Sequence, residues 1–259
     1  MQKRNTQQRR RSIVERLNHL GEVSVDELAS LFSTSEVTIR KDLSELENNG
    51  LLLRKFGGAI LLPTSASELS SEKVSIRKKA IASAASTLIK DHNRIIIDSG
   101  STTSALLAEL TNKIGLLVMT NSLQVATCLL EQENQHTVLM TGGTWDTQSH
   151  SFQGKMAELV LNEYNFDQAF IGAAGIDPQK GTTTFNELTQ LSQAMAKVSN
   201  QVVVMAESEK LQRKIPNVEL PWNAISVLVT DDRIPADIKQ QIEQQGVEVI
   251  CANATEIGD

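Results

Sequence analysis

The sequence has few of the residues on which disulfide-rich domains and membrane proteins depend. It contains two cysteines, one tyrosine and two tryptophans in 259 residues, and aromatic residues make up 3% of the chain. Cys128 and Cys251 belong to no CxxC or Cys/His pattern, so we expect buried free thiols and no disulfide. The four histidines are scattered, and we expect neither a metal site nor a cofactor.

Long apolar runs are also missing. No stretch approaches the roughly 18 apolar residues that a membrane-spanning helix needs, and no apolar signal core follows the charged start. We therefore expect a cytoplasmic protein with no membrane partner. Apolar residues still make up 40% of the chain, which is ample for a packed core and too high for a disordered protein.

Charge is divided unevenly along the chain. The net charge is −6, but residues 1–59 hold ten Lys and Arg against eight Asp and Glu, and the remainder holds fifteen against twenty-three. An acidic body repels DNA, so only the N-terminal segment is a plausible surface for contacting phosphates.

Helix signals begin close to the N-terminus. Apolar residues at helical spacing from Ile13 to Leu20 predict a first helix, which Gly21 ends. Residues Ser24–Glu27 match a capping box, in which the serine hydroxyl accepts from the backbone of the glutamate. A second helix is therefore predicted to run from there to about Phe32.

A third helix follows after a turn of only two residues. Ser35 is its predicted cap, and Gly50 marks its end. Its apolar positions recur every three or four residues, at Val37, Ile39, Leu43 and Leu46. Two short helices joined by a tight turn define a helix-turn-helix. Residues 51–59, with a Gly-Gly turn and two cations, then predict a small β wing.

The non-core face of the third helix is polar and charged. It offers donors and acceptors for base edges together with cations for phosphates, within a short stretch: Ser35, Glu36, Thr38, Arg40 and Lys41. The alternative is an ordinary solvated helix face. The wing beside the helix favours a surface that binds double-stranded DNA.

A linker separates this module from a second domain. Residues 63–73 are rich in serine and lack periodicity, which predicts domains at residues 1–62 and 74–259. After the linker, helical patterns alternate with apolar strands, which predicts a mainly parallel, Rossmann-like α/β fold. The predicted strands lie near residues 94–98, 116–119, 137–140, 169–171, 201–205, 224–229 and 247–250.

Polar residues follow several of these predicted strands. The first such turn surrounds one point with backbone N–H groups and hydroxyls, which suits an anion. It consists of Asp98, Ser99, Gly100, Ser101, Thr102 and Thr103. The alternative is a tight turn in which Ser and Thr only cap a helix. Ligands of open α/β sheets bind at the carboxyl ends of strands, so the other polar strand ends join the candidate ligand site. These are Asn121, Ser122, Gly142, Gly143, Gly172 and Lys210.

The motifs of the N-terminal module resemble those of DeoR-type regulators of bacterial sugar metabolism. The resemblance rests on Ser33–Leu43, Leu46-Glu47 with Gly50, Leu53-Arg54, and Gly57–Ala59. It implies that Thr38, Arg40 and Lys41 face DNA and that Arg54 contacts it from the wing. Phe56 stands where the family commonly has His.

The resemblance continues through the second domain and covers nearly the whole chain. Gly181–Glu187 resembles the family's glycine-threonine loop, and it implies an effector site that includes Thr183. It also assigns Asn186 and Glu187 to sugar hydroxyls and Lys210 to a phosphate, with a surface lysine as the alternative. The chain departs from the family at Asp146, where many members have a basic residue, and at Glu207, where many have Asp.

A sugar-phosphate isomerase is the alternative class, because the family's sensor domains are similar to those enzymes. The isomerases have Gly-Ala-Asp-Glu where this chain has Gly172-Ala173-Ala174-Gly175. Alanine and glycine can neither accept nor donate a proton. Gly181 is moreover followed by three threonines rather than by the isomerases' glycine-rich loop. Binding without turnover is therefore the expectation.

The resemblance implies a repressor of a carbohydrate-utilisation operon that a phosphorylated sugar or sugar alcohol releases from operator DNA. Pairing of recognition helices on half-sites implies a homo-oligomer, either a dimer or a tetramer. Met119–Leu123 and Thr184–Glu187 look most like the branch that regulates hexitol use, such as the glucitol (sorbitol) repressors.

Overall fold

The structure is a computed structural model that divides into two compact units, Met1–Thr64 and Ser65–Asp259. It describes residues 6, 9–10, 12–14, 16–17, 21–48, 51–55, 57–60, 75–134, 136–147, 149–184, 189–213, 215 and 217–253. The predicted linker, Phe56, Asn186 and Glu187 lie outside the described residues.

The first unit is a winged helix-turn-helix. Its elements are β1 (Glu22–Ser24), α1 (Val25–Leu31), α2 (Glu36–Asn48), β2 (Leu53–Lys55) and β3 (Gly58–Ile60). The described residues from Thr6 to Leu17 are helical, as the apolar spacing predicts. The capping box is confirmed, because the Ser24 hydroxyl accepts from the backbone N–H of Glu27. A three-stranded antiparallel sheet in the order β1-β3-β2 closes the unit.

The sequence predicts two strands of this sheet and misses β1. The wing hairpin is confirmed, since Arg54 on β2 pairs with Ala59 on β3. On the other side of β3, Val23 of β1 pairs with the same Ala59. A strand of three residues is too short to show the alternation of apolar and polar positions from which strands are predicted.

The second unit alternates helices and strands. Its helices are α3 (Ile76–Ser86), α4 (Ser101–Ser104), α5 (Leu123–Leu130), α6 (Lys155–Asn162), α7 (Gln190–Lys197) and α8 (Ala236–Glu243). Its strands are β4 (Arg94–Ile97), β5 (Leu117–Thr120), β6 (Thr137–Met140), β7 (Thr144–Asp146), β8 (Ser151–Gln153), β9 (Phe166–Gly172), β10 (Gly175–Asp177), β11 (Gly181–Thr184), β12 (Ser199–Met205), β13 (Asn217–Pro221), β14 (Val227–Asp231) and β15 (Glu248–Ala252).

Seven of these strands form one parallel sheet, as predicted. Its order is β15-β14-β12-β9-β4-β5-β6. In chain order, β5 and β6 are added on one side of β4, and β9 then pairs with the other side of β4. The direction of winding therefore reverses between β4 and β9, where Ile97 pairs with Phe170. In open α/β sheets such a reversal opens a crevice at the carboxyl ends of the strands.

Two smaller antiparallel sheets were not predicted. One is the hairpin of β7 and β8, and the other has the order β10-β11-β13. The prediction that residues 181–187 form a loop is therefore wrong for the first four residues, because Gly181–Thr184 forms strand β11. The strand predicted at 224–229 instead begins at Val227, because Trp222–Ala224 forms a 3-10 turn before it.

Both faces of the large sheet are covered by apolar side chains. One core contains Ile81 of α3, Ile95 and Phe170, and the other contains Ile96, Phe166 and Met195 of α7. This explains why the central strands read as continuous apolar runs. No helix among the described residues has the length and apolar character needed to cross a bilayer.

The prediction of two buried thiols is wrong for one cysteine. Cys251 is exposed on β15, and Cys128 on α5 is partly buried. Cys251 lies on the outermost strand of the sheet, where fewer neighbours cover each side chain.

Candidate functional site

The first candidate surface lies on helix α2. Ser35 caps this helix as predicted: its hydroxyl accepts from the backbone N–H of Thr38 at 3.3 Å and lies 2.9 Å from the Thr38 hydroxyl. Ile39, Leu43 and Leu46 pack into the core of the unit. These contacts fix which side of the helix faces outward.

The outward side carries the residues predicted to contact DNA. Ser35, Glu36, Arg40 and Lys41 are exposed, Thr38 is partly buried, and Arg54 is exposed on β2 of the wing. Val37 was predicted to be a core position, and this is wrong, because 61% of it is exposed. The apolar spacing groups Val37 with Leu43 and Leu46, but Ile39 is the first residue of α2 that packs into the core. The outward face therefore combines polar, cationic and apolar groups.

Two arginines of this surface are held by glutamates. The Arg40 guanidinium lies 2.7 Å from the Glu36 carboxylate. Arg54 donates from its backbone N–H and its side-chain Nε to Glu47, at 2.9 and 2.6 Å. Burial raises the pKa of Glu47, but the hydrogen bonds and charge of Arg54 outweigh this and lower it. Exposed pairs of this kind contribute about 0.2–1 kcal/mol, so a DNA phosphate can replace the glutamate.

A buried ion triad anchors α2 to the N-terminal helix. Asp42 is almost fully buried, and its two oxygens lie 2.6 Å from Arg9 and 2.9 Å from Arg10. A carboxylate buried without such partners is strongly destabilising. The sequence analysis missed these contacts because Arg9 and Asp42 are 33 residues apart, and charge alone does not reveal the pairing.

The second candidate site lies at the carboxyl edge of the large sheet, where the winding reverses. Asp98 directly follows β4, and its Oδ1 accepts from the backbone N–H of Ser99 at 2.8 Å and from the Asn121 amide at 2.9 Å. The Asn121 oxygen in turn accepts from the Ser99 N–H at 2.9 Å. These bonds join the loops that follow β4 and β5. They also occupy the Ser99 N–H, which is therefore not available to a ligand.

The loop after Asp98 is fixed by Thr103 and Gly100. The fully buried Thr103 hydroxyl contacts the carbonyl oxygens of Asp98 and Gly100, at 2.8 and 3.0 Å. Gly100 has a φ of 151°, a conformation that side-chain-bearing residues rarely adopt. The α-helix that opens here has only four residues before it continues as a 3-10 helix. The backbone N–H groups of the loop, rather than a long helix, would meet an anion.

Burial also changes the acidity of the site. It raises the pKa of Asp98 to about 6, although the hydrogen bonds from Asn121 and Ser99 act in the opposite direction. No described residue forms a salt bridge with Asp98. Titratable groups with shifted pKa values are concentrated at functional sites, so this shift supports the choice of Asp98 as a candidate site residue.

The remaining predicted residues occupy the same edge in different roles. Thr102 is buried beside Thr103, and the Ser122 hydroxyl caps α5 by accepting from Val125. Gly172 ends β9, and the Cγ2 of Thr103 lies 4.0 Å from where a Cβ at residue 172 would be. Gly142 and Gly143 follow β6, both with positive φ.

Lys210 lies beyond β12, in the 3-10 segment Ser208–Gln212. It is only 6% exposed, so the alternative that it is a surface lysine is wrong. Each of the two residues that depart from the family pattern has a partner within the same unit. Asp146 accepts from Ser149, and Glu207 pairs with Arg77 at 3.1 Å.

Glu219 is a further acidic residue that the sequence analysis missed. It lies on β13, where its Oε1 accepts from the Ser192 hydroxyl at 2.7 Å. Burial and, to a smaller extent, the negative charge of Asp98 raise its pKa to about 7, and hydrogen bonds from Ser192 and Thr182 oppose this. The effect of Asp98 shows that the two carboxyl groups belong to one region. Glu219 stands in a short strand between polar residues, so no pattern marked it.

The stretch where isomerases carry acids is sterically closed at Gly175. A Cβ at this position would lie 2.6 Å from the Thr183 hydroxyl, 3.0 Å from the side chain of Ile215 and 3.1 Å from the Arg213 carbonyl oxygen. The Thr183 hydroxyl is buried and has no hydrogen-bond partner within the described part of the chain. A carboxylate therefore does not fit at residue 175. Among the described residues, no cluster of His, Cys, Asp or Glu is arranged to hold a metal ion.

Comparison with known proteins agrees with this architecture. The family described as the DeoR-like helix-turn-helix domain matches residues 9–65, and the family described as the DeoR C terminal sensor domain matches residues 73–232. Together these matches span most of the chain. The chain belongs to the DeoR family of transcription regulators.

Individual relatives match along nearly their full length. The chain is 37% identical to the putative aga operon transcriptional repressor of Escherichia coli O157:H7, covering 95% of this chain and 93% of that protein. It is 31% identical to the HTH-type transcriptional regulator GlpR of Haloferax volcanii, covering 94% and 96%. A solved structure of ribose 5-phosphate isomerase A from Methanocaldococcus jannaschii aligns with a TM-score of 0.38, at 21% identity, over 51% of this chain and 52% of that one.

Proposed function

We propose that this protein is a cytoplasmic repressor of a carbohydrate-utilisation operon, released from operator DNA by a phosphorylated sugar or sugar alcohol. One observation carries the proposal. The chain has an outward helix face with cations in one unit, and a buried polar network at the reversal of a parallel sheet in the other. The first surface suits DNA, and the second suits a small polar ligand.

Operator binding uses α2 and the wing of the domain at residues 1–62. Arg40, Lys41 and Arg54 supply charge to the phosphates, and Ser35, Glu36 and Thr38 supply hydrogen-bonding groups to base edges. Since Arg40 and Arg54 are already paired with glutamates, binding exchanges one anion for another. This exchange lowers the free energy gained from each phosphate contact. It therefore favours DNA sequences at which contacts to the bases add to the binding free energy.

Effector binding uses the carboxyl edge of the domain at residues 74–259. Lys210 and the backbone N–H groups beyond Ser99 suit a phosphate, together with the hydroxyls of Ser101 and Thr102. Asp98, which the buried Asn121 holds in place at 2.9 Å, suits the hydroxyls of a sugar chain. Asn186 and Glu187 complete the proposed site on the basis of the family motif. No catalytic residue, cofactor or metal is part of this proposal.

Coupling between the sites requires two states with different affinities. The sensor domains hold a dimer or tetramer, so that two recognition helices meet operator half-sites. The phosphorylated compound must bind more tightly to the arrangement that has weak operator affinity. The segment at residues 63–73 is the proposed connection between the two domains.

The test is fluorescence anisotropy of labelled DNA from upstream of the protein's own operon, at fixed salt, because phosphate contacts make binding salt-dependent. Glucose 6-phosphate, glucitol 6-phosphate and other hexose and hexitol phosphates are added in turn. Selective binding that one compound releases is the expected result. Absence of sequence-selective binding contradicts the proposal.

A sugar-phosphate isomerase is the second candidate, because the fold places polar strand ends at one crevice. Ala174 carries no acid, and Gly175 leaves no room for one. We therefore propose binding without turnover. Measurable isomerisation of any pentose or hexose phosphate by the purified protein would reverse this choice.

A further inference from the structure

Glu219 is a carboxylate whose hydrogen-bonding capacity is only partly used. Its Oε1 accepts from Ser192 at 2.7 Å, but its Oε2 has only a long contact of 3.5 Å to the Thr182 hydroxyl. That hydroxyl also accepts from the backbone N–H of Leu220 at 3.1 Å, which fixes its position. Because an ionised carboxylate accepts up to about four hydrogen bonds, Oε2 can take further donors.

Two other acids of the same unit are held by arginines. Asp167 pairs with Arg94 at 3.0 Å, and Glu207 pairs with Arg77 at 3.1 Å. Within the described ranges, no cation forms a salt bridge with Glu219 or with Asp98. A buried carboxylate without a cation or a full set of donors is unfavourable. Because Glu219 is only partly buried, donors from outside the chain, water or a ligand, can complete its hydrogen bonding.

The position of Glu219 connects it to the proposed effector site. Glu219 lies on β13, which pairs with β11, and β11 in turn pairs with β10. The chain enters β10 at Gly175, three residues after Gly172, which is the last residue of β9. Gly172 lies beside Thr103, which holds the Asp98 loop. The charge of Asp98 also raises the pKa of Glu219. The small sheet thus brings a second carboxyl group to the crevice.

We propose that Glu219 forms a hydroxyl-binding subsite in which its Oε2 accepts hydrogen bonds from the carbon chain of a polyhydroxylated phosphate, while Ser192 holds the carboxylate in place. This inference rests on the proposed function of the same crevice. It adds a residue that the family motif does not supply. Glu219 selects for the hydroxylated part of the compound, whereas Lys210 and the loop beyond Ser99 take the phosphate.

The test compares Glu219→Gln with the unaltered protein in operator release by the hexose or hexitol phosphate that acts on the latter. Glutamine keeps the shape and removes the charged acceptor, so about tenfold more compound is expected for half-release. Ser192→Ala, which leaves the carboxylate unanchored, is expected to raise it by a smaller factor. Glu248→Gln is the matched control, because Glu248 is exposed at the amino end of β15. All variants are expected to bind operator DNA equally without compound.

A deoxy analogue of the active compound shows whether the loss arises from a hydroxyl. At least one deoxy position is expected to weaken release of the unaltered protein and to have little further effect on Glu219→Gln. Inorganic phosphate separates this role from a general effect of charge. If Glu219 acts only through its charge, the variant binds inorganic phosphate and the hexose phosphate more tightly, and that result overturns the subsite.

The two proposals fail in different ways. If no hexose or hexitol phosphate releases the unaltered protein, the proposed function and the subsite are both wrong. If a compound releases the unaltered protein and Glu219→Gln at the same concentration, only the subsite is wrong. Tenfold weaker release, with normal DNA binding, supports both.

Discussion

Two carboxylates in each unit of the chain are held in opposite ways. In the winged helix, Asp42 contacts two arginines, and Glu47 is held by Arg54. In the sensor unit, Asp98 and Glu219 are surrounded by hydroxyl and amide groups, and their pKa values are raised to about 6 and about 7. Paired charges make the first unit complete in itself. The unpaired carboxyl groups of the second leave hydrogen-bonding capacity that a ligand can satisfy.

The comparison also separates positioning from recognition. The Asp42 triad is buried and orients α2, whereas the glutamates on the outward face pair with exposed arginines that DNA can recruit. In the sensor unit, residues that position the site and residues that are free to bind a ligand lie close together. Thr103 and the Ser99 N–H hold the loop after β4, whereas the Oε2 of Glu219 has only a contact of 3.5 Å to the Thr182 hydroxyl.

The largest expected effect is at the paired carboxylate. Asp42→Ala leaves Arg9 and Arg10 without their partner and is expected to destabilise the winged helix by about 2–4 kcal/mol. Urea unfolding of the full chain, followed by circular dichroism, is expected to show an earlier transition and weaker operator binding. Glu45→Ala, an exposed site on the same helix, serves as the control. Equal stability of the two variants contradicts the role given to the triad.

The next largest effect is expected at Gly175 of the sensor unit, where neighbouring atoms leave no room for a side chain. Gly175→Ala places a methyl group 2.6 Å from the Thr183 hydroxyl and is expected to reduce stability by about 1–3 kcal/mol. Thr183→Ala removes that oxygen, so the double variant is expected to lose less than the sum of the single losses. Thermal unfolding measures all three. Strict additivity would mean that the contact with Thr183 is not the cause.

The pH dependence of stability tests the unpaired carboxyl groups. Since the folded pKa values of Asp98 and Glu219 are raised, the folded chain binds more protons than the unfolded chain between their ordinary and raised values. The free energy of unfolding that they contribute therefore falls as pH rises from about 4 to about 7, and it stays low above that.

Glu219→Gln removes one of these two groups. It is expected to raise the free energy of unfolding by about 1–3 kcal/mol at about pH 8.5 and to change it little at about pH 4. Denaturant titrations at both values, with Glu248→Gln as control, measure the difference. A variant that is destabilised at the higher pH would show that Glu219 is paired in the native protein.

The smallest expected effect concerns the DNA-facing surface. Arg40→Ala is expected to weaken operator binding by about 1–2 kcal/mol and to lower the slope of affinity against salt by about 1. Glu36→Gln frees Arg40 from its pair and is expected to tighten binding to unrelated DNA by a few tenths of a kcal/mol. Anisotropy at several salt concentrations measures both. An unchanged salt slope in Arg40→Ala would place that arginine away from the phosphates.

Local signals explain what the sequence could predict. The capping box at Ser24 and the cap at Ser35 set helix starts through contacts within three residues. The central strands are continuous apolar runs because both sheet faces are covered. The polar strand ends could be placed at one edge because parallel strands share direction. These features depend on neighbours in sequence or on simple periodicity.

The missed features depend on contacts between distant segments. β1 and β10 have three residues each, too few to show a period. Val37 fits the apolar spacing of α2, yet the packing leaves it exposed. Whether a glutamate has a cation beside it, as Glu207 does, or only hydroxyls, as Glu219 does, is decided by the fold. For this reason the raised pKa and partial hydrogen bonding of Glu219 were not predicted.

The most direct test of the central claim is to measure both binding events in two variants, Arg40→Ala and Lys210→Ala. Operator affinity is measured by anisotropy, and binding of the active hexose or hexitol phosphate is measured by thermal stabilisation. Arg40→Ala is expected to weaken only operator binding, whereas Lys210→Ala is expected to leave operator binding intact but to lose stabilisation and release by the compound. If either folded variant loses both activities equally, the assignment of DNA to one unit and the sugar phosphate to the other is wrong.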